Sequence, residues 1–341
     1  MPEIKEQISL AAYTTMKTGG VADYWAVAHS REELVALFSE AKKRDWPVTV
    51  IGGGSNMLVS DDGVRGLVIK NEIKGIEVVE TDTHIRVSAG AGEVWDDFVD
   101  YAVSHGWWGI ENLSAIPGTV GATPIQNVGA YGVEVKEVIA EVEVYSPVEN
   151  KFITMNNDEC LFSYRHSIFK NESHKNFVIV NVTFVLNKIA NPILHYKDLH
   201  DRFSNTEQSH VPSLTDIRKA VTEIRAQKFP DWHQLGTAGS FFKNPIITKT
   251  AFRELQQKYP DIPGYLEDYD HMKVSLAWIL DKVCNLKGER DGAVGAFNNQ
   301  PLVLVNYGGA TTNDVKNFAH KIANEVFQKT KIEIEIEPVL L

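Results

Sequence analysis

Three side chains combine reactivity with an unusual setting. Ser240 lies in GTAGSFFKNP, after three small residues and before two phenylalanines, with Lys243 and Asn244 just beyond. Such a hydroxyl can close its own turn, or it can give or take a proton beside a reacting group. No GxSxG elbow surrounds it, because Ala238 and Gly239 precede it and Phe241 and Phe242 follow, which argues against a hydrolytic nucleophile. Aromatic cover and a nearby lysine suit proton delivery better than an acyl intermediate. Arg165, in SYRHSIFK, offers a guanidinium fork for a carboxylate or a developing enolate oxygen, the ordinary alternative being a surface ion pair. In KIEIEIEPVLL, Glu333, Glu335 and Glu337 alternate with Ile332, Ile334 and Ile336, which predicts a strand with one solvated acidic face.

Two glycine-rich loops suggest what these groups act beside. IGGGSN fails the dinucleotide frame, since Met57 occupies the third glycine position counted from Gly52, and strand follows where a helix would have to start. It reads instead as a strand-to-strand turn whose backbone N–H groups form an anion nest, with Ser55 and Asn56 adding donors. From Leu113 to Val133 there is no charged residue, while Gly118, Gly121, Gly129, Gly132, Pro117 and Pro124 punctuate the chain. Gln126 and Asn127 could meet the edge of a planar ring there. Either loop alone is equally well turn chemistry in a β-rich domain. Together they point to a cofactor with a pyrophosphate and a flat heterocycle, most economically a flavin dinucleotide. No GxxxxGK[ST] motif occurs, the 11 histidines show no metal spacing, and HYKDLH is too loose to bind a metal, so no metal is expected.

The elements that must position these residues follow from periodicity. Ser30 and Glu33 make a capping box for a helix over 30–44, VTVI (48–51) enters the first glycine loop, and a strand pair is expected around MLV and GLVIK. A helix is expected near 94–105, with strands at HIRVSAG (84–90) and FVIVNVTFVL (177–186). In VIAEVEVY, Val138, Ala140, Val142 and Val144 oppose Ile139, Glu141, Glu143 and Tyr145. The polar stretch from Asn191 to Ser213 reads as a connection or insertion. An amphipathic helix bearing Leu214, Ile217, Val221 and Ile224 follows, then a helix near 275–283, the strand LVLVN (302–306) and a helix from Asn313 to about Lys329. The class is α+β with at least two domains.

The 341 residues and 43% hydrophobic content allow two or three compact units. A net charge of −11 argues against nucleic acid or an anionic membrane as the main partner. Only Cys160 and Cys284 occur, and the N-terminus has no apolar core of signal length, so a cytoplasmic protein is expected.

Taken in order, YTTMKTGGVADY, IGGGSNMLVSDDGVRGLVI, IPGTVGATPIQNVGAYGVEV, YRHSIFK, GTAGSFFKNP and IEIEPVL resemble the UDP-N-acetylenolpyruvoylglucosamine reductases, the flavoenzymes of bacterial cell-wall precursor synthesis. The likeness runs from about residue 13 to the end. It implies a two-subdomain FAD-binding module of the vanillyl-alcohol-oxidase-like (PCMH) type plus a C-terminal α+β substrate domain. The domains would be 1–75 joined by the terminal strand 331–341, 76–212 with a tyrosine loop, and 213–330 for substrate. It further implies that NADPH reduces FAD, which passes hydride to the enolpyruvyl group of a UDP-sugar, and that the enzyme works as a monomer. By motif, Ser240 matches the proton donor, Arg165 the carboxylate and enolate stabiliser, and Glu337 the catalytic carboxylate, with Glu335 the alternative two residues away. Gly52, Gly54, Ser55, Asn56, Gly121, Gln126, Asn127, Gly129 and Tyr131 match FAD positions; Tyr196, Lys228, Asn244 and Gln300 match substrate positions. Met16 stands where the family often has an aromatic residue. A sugar or alcohol oxidase on the same module, or a non-catalytic FAD or UDP-sugar sensor, are the other readings.

Overall fold

The computed structural model describes residues 2–204 and 211–341, so residues 205–210 of the polar stretch expected as a connection lie outside the described residues. The chain forms two compact units, one of residues 1–8, 22–54 and 65–225 and the other of residues 9–21, 55–64 and 226–341. Helix and strand alternate irregularly in both, and the class is α+β.

The first unit holds two sheets. Strands Lys5–Ser9, Val21–Ala28, Val64–Asn71 and Val48–Ile51 form one in that order, the last two parallel with Val48 opposite Leu67. Helix Arg31–Lys43 connects Val21–Ala28 to Val48–Ile51. Its cap is half of the expected box: Ser30 accepts from Glu33 N at 3.2 Å, but the Glu33 carboxylate takes His29 N at 2.7 Å. The second sheet is antiparallel, in the order Lys151–Asn156, Ile139–Ser146, Val178–Asn187, His84–Gly90, Ile76–Glu80. Val178 and Val180 join one core while Ile179, Val182, Phe184 and Leu186 join another. Burial on both faces explains why this strand reads as an almost unbroken apolar run. The strict alternation expected over 138–145 breaks: register slips between Ile139 and Glu141 and again between Glu143 and Val144, and Val138, Ile139, Val142 and Val144 all enter the same core. Helix Trp95–Ser104 packs through Trp95 and Phe98 on Phe184, with ring centroids 5.9 and 4.9 Å away.

The second unit has a four-stranded antiparallel sheet ordered Gly236–Ser240, Val303–Asn306, Val294–Ala296, Arg290–Asp291, and a smaller one of Ile246–Thr248, His271–Val274 and Gly264–Leu266. Helix Thr312–Thr330 and the turn at 276–283 cover the core. That turn changes from α to π winding at Ile279, with Cys284 N bonded to Ile279 O at 2.9 Å. Met16 is fully buried in this core. The pair expected around MLV and GLVIK does not form: Met57–Leu58 runs parallel with Val339–Leu340, and Val64–Asn71 lies in the first sheet. Cys160 and Cys284 are both buried free thiols, pushed up to about 12 and about 11 chiefly by burial. Among the described residues, no helix is long and apolar enough to cross a membrane.

Segment 55–64 is fastened to the long helix by one carboxylate. Asp61 accepts Thr312 N at 2.7 Å and Asn313 N at 2.9 Å, and Thr312 Oγ1 donates to Val59 O at 2.5 Å. Asp61→Ala leaves two N-terminal helix donors without this acceptor, and the expected loss is about 1–2 kcal/mol in denaturant unfolding. Asp61→Asn, which keeps one acceptor oxygen, should lose less; equal stability of the alanine variant and the parent would refute the clamp.

Candidate active site

The first unit brings the two glycine loops together. A Cβ on Gly52 would stand 2.5 Å from Thr119 Oγ1, and one on Gly53 would stand 2.9 Å from Gly118 Cα. Gly53 thus brings backbone to backbone and Gly52 brings backbone to the Thr119 hydroxyl, where any side chain would separate the loops. The second loop is pinned from below: Trp95 N donates to Gly118 O at 3.1 Å, Val120 N to Glu93 O at 2.9 Å and Gly121 N to Ala91 O at 2.9 Å. A glycine-lined stretch without charged residues and with Gly53 exposed fits a pyrophosphate-bearing cofactor, because glycine lets an anion approach the backbone. Ser55 and Asn56 fall in the second unit, where Asn56 O accepts Val339 N at 3.0 Å.

Asn127 and Arg165 are held by one another's loops. Asn127 is fully buried with φ 47°, its Nδ2 donating to Glu134 Oε2 at 2.8 Å and Ser163 O at 3.1 Å, while Oδ1 accepts Lys136 N at 3.1 Å. Both amide protons are committed inside the protein, so the Asn127 side chain fixes the loop. Ser163 and His166 exchange backbone bonds of 3.0 and 3.1 Å, which leaves Tyr164 and Arg165 at the tip of a tight turn. Ser167 Oγ fastens that turn to Ile125 O at 2.6 Å. Arg165 adopts φ 52°, a left-handed conformation uncommon for a bulky residue, and its Nη2 donates to Gly129 O at 3.0 Å. Burial opposes ionisation of Glu134, but hydrogen bonds from Lys136 and Asn127 and the charges of Lys136 and Arg165 hold its carboxyl below the ordinary value. Glu134 escaped the sequence reading, although it is the first charge after the neutral stretch.

Tyr131 is buried at φ 50°, and the Tyr196 ring meets it edge-on, with centroids 5.3 Å apart. Burial pushes the Tyr131 phenol up, against the opposing charge and hydrogen bond of Arg225. Desolvation in turn pulls the Arg225 guanidinium down, and its Nε donates to Ala115 O at 3.0 Å. Arg225 is a second residue that sequence did not single out; it sits where the stripe Leu214, Ile217, Val221 turns its polar edge.

The second unit gathers Ser240, Glu337, Gln300, Lys228 and Asn244. Thr237 lies opposite Val305 but Ser240 lies opposite Val303, so one extra residue bulges the strand, with Gly239 at φ 74°. The turn is closed by Thr237 Oγ1, which accepts Gly239 N at 3.2 Å. Ser240 is half-buried, and among the described residues its hydroxyl makes no hydrogen bond. The self-closing turn left open by sequence thus belongs to Thr237. Phe241 and Phe242, expected as a cover against water, are instead core anchors, 0% and 1% exposed. Lys243, expected to assist the serine, pairs with Glu335 at 2.7 Å.

The acidic face expected at 333–337 does not exist as such. Only Ile336 makes a bridge, to Phe242, before Val339–Leu340 pairs; Glu333 and Glu335 are exposed, while Glu337 is buried. Lys243 N donates to Glu335 O at 3.0 Å and Glu337 N to Phe241 O at 2.9 Å, which sets the buried carboxylate beside the serine turn. Phe241 N donates to Leu302 O at 2.8 Å, and Val303 N to Gln300 O at 3.0 Å, so the Gln300 turn flanks the same strand end. Asn299 Nδ2 holds Gln227 O at 2.7 Å, next to Lys228. Asn244 Oδ1 accepts Leu276 N at 3.0 Å.

The family model described as FAD binding domain matches residues 22–149, and that described as UDP-N-acetylenolpyruvoylglucosamine reductase, C-terminal domain matches residues 231–341. The UDP-N-acetylenolpyruvoylglucosamine reductase of Pseudomonas fluorescens is 37% identical over 338 residues, 98% of each chain. That of Neisseria meningitidis serogroup A is 43% identical over 289 residues, 84% of this chain and 83% of its own. The solved UDP-N-acetylenolpyruvylglucosamine reductase of Thermus caldophilus shares the fold, with a TM-score of 0.69 at 22% identity over 100% of this chain and 99% of its own. With its FAD-binding domain followed by the family's C-terminal domain, the chain belongs to the UDP-N-acetylenolpyruvoylglucosamine reductase family.

Proposed function

We propose that this protein reduces the enolpyruvyl group of UDP-N-acetyl-3-O-(1-carboxyvinyl)-glucosamine to the lactyl ether of UDP-N-acetylmuramate, in peptidoglycan precursor synthesis. The observation that carries the chemistry is Ser240: a half-buried hydroxyl on a strand bulge, without a hydrogen bond among the described residues, beside a strand that buries Glu337. When bound, FAD supplies hydride, taken from NADPH, to the terminal vinyl carbon. The chain's own residues do the rest. Ser240 Oγ gives its proton to the carbon next to the carboxylate, so that one C–H bond forms there as the enolate electrons return to carbon. The Arg165 fork offsets the charge that accumulates on the carboxylate oxygens. Glu337 orients the reacting group or restores the serine proton; its burial, against the exposed Glu335, favours it for this role. Lys228, Asn244 and Gln300 hold the sugar nucleotide, and Tyr196 covers it. Gly52, Gly54, Gly121, Gly129 and Tyr131 line the cofactor, with Ser55, Asn56 and Gln126 as further donors. The functional domains we propose are 1–75 with 331–341, 76–212 and 213–330, in a cytoplasmic monomer; the compact units cut the chain elsewhere, with 213–225 in the first and 331–341 in the second.

The purified protein is expected to be yellow, to bleach with NADPH and to regain its oxidised spectrum when the UDP-sugar is added. A colourless protein, or one reoxidised as fast by oxygen as by the UDP-sugar, would defeat the reading. Ser240→Ala should leave the bleaching step near the parent rate and slow substrate-driven reoxidation by about 10²–10⁴-fold, the usual span for a positioned proton donor. Loss of both steps alike would mean a folding role.

Glu337→Gln should likewise slow the second step, whereas Glu335→Gln, which weakens the pair that an exposed carboxylate makes with Lys243, should stay within about twofold of the parent. The reverse ranking in stopped-flow reoxidation would move the catalytic carboxylate to Glu335. Gly52→Ala forces a methyl against Thr119 and should lower the FAD-to-protein ratio after gel filtration; full retention of FAD would remove Gly52 from the cradle.

A further inference from the structure

A single buried amide joins the loop carrying Tyr131 to the segment carrying Tyr196. Asn112 is 1% exposed, and its Nδ2 donates to Tyr131 O at 2.9 Å and to Ile193 O at 2.8 Å. These carbonyls lie 19 and 81 residues away along the chain. Both partners can only accept, so the nitrogen of the amide must face them. A third contact lies nearby. At Gly132, with φ 85°, a Cβ would stand 2.8 Å from His195 Nε2, so the imidazole packs directly on bare backbone. The Tyr131 and Tyr196 rings then meet edge-on at 5.3 Å.

We propose that Asn112 is a positioning residue for substrate binding, acting through Tyr196: its two hydrogen bonds hold the 193–196 segment against Tyr131 and Gly132, so that the exposed Tyr196 ring is presented in one place. The inference rests on the reading of Tyr196 as a substrate contact. The physical reason is local. Tyr196 is 42% exposed and the helix after it, Lys197–Phe203, is short, so where the ring sits depends in part on the backbone that leads into it. Two hydrogen bonds from a core amide hold that backbone, three residues before the ring. Asparagine suits the position because one Nδ2 carries two protons at the right divergence, whereas aspartate would have none to give at neutral pH.

The test is a binding cycle on the FAD-loaded enzyme, titrating the UDP-sugar against the oxidised flavin spectrum. Asn112→Ala and Tyr196→Ala are each expected to raise Kd about tenfold, the scale of one to two lost hydrogen bonds. The double variant should bind no more weakly than Tyr196→Ala alone, since the amide acts only through that ring. Because Asn112 is buried, His195→Ala serves as the second variant: the exposed imidazole can be removed without opening the core, and its smaller effect should also vanish in the Tyr196→Ala background. FAD content and melting temperature confirm that each variant is folded. Multiplicative effects in the double variants, or an unchanged Kd for folded Asn112→Ala and His195→Ala while Tyr196→Ala weakens binding, would overturn the proposal. Failure of the parent enzyme itself to bind the UDP-sugar would instead strike the functional reading beneath it.

Discussion

Two backbone hydrogen bonds fix the surroundings of Ser240 in the second unit: Lys243 N to Glu335 O at 3.0 Å and Glu337 N to Phe241 O at 2.9 Å. They make the residues after Ser240 and the residues before the terminal strand neighbours, although about a hundred positions separate them in the chain. Phe241 and Phe242 then become immovable, because they are sealed in the core from one side and hydrogen-bonded from the other. The serine rides on that anchored backbone. Its bulge needs no help from its own hydroxyl, since Thr237 closes the turn. Position and reactivity are thereby assigned to different residues, and a hydroxyl not spent on structure is one that can exchange a proton.

The first unit applies the same division to Arg165. The side chain is long and flexible, so its direction must come from its backbone. That backbone sits at the tip of a turn held at both ends, by Asn127 to Ser163 O and by Ser167 to Ile125 O. Both ties lead back to the neutral loop, so the turn cannot shift without it. The left-handed φ of 52° is the local cost, and such strain persists only where surrounding contacts overdetermine the conformation.

What sequence made legible was whatever depends on local pattern. The helix at 31–43, the strand at 178–187 and the amphipathic helix from Leu214 emerged close to their expected places, because capping, apolar runs and 3.6-residue spacing are properties of a few adjacent residues. The failures share a different cause. Alternation at 138–145 was broken by two register slips that only the neighbouring strands dictate. The three glutamates near the terminus look equivalent by spacing, yet Glu333 and Glu335 are exposed while Glu337 is buried, a difference set by what packs around each position and not by the period of two. Lys243 was read by proximity in sequence to Ser240, while the strand geometry sends it to Glu335. Motif resemblance identified the family from short segments scattered along the whole chain.

The least legible residues are the asparagines, and they follow a common physical rule. Asn71 donates to Ile179 O at 2.9 Å while accepting Ile73 N at 3.1 Å. Asn306 donates to Met16 O at 3.1 Å and accepts Gly308 N at 2.9 Å. Asn127 makes two such bonds and a third to the Glu134 carboxylate, Asn112 makes two, and all four side chains are buried. Each reaches from its own strand or loop to a backbone group distant in sequence, which a residue of average polarity in a loop gives no hint of doing. A carboxylate or lysine could make comparable reaches only by carrying charge into a low-dielectric interior, at a desolvation cost of several kcal/mol. An amide satisfies irregular backbone without that cost, and it adds no field near groups whose protonation matters. Neutral side chains thus tie the loops on which Arg165, Tyr131 and Tyr196 are mounted to distant backbone.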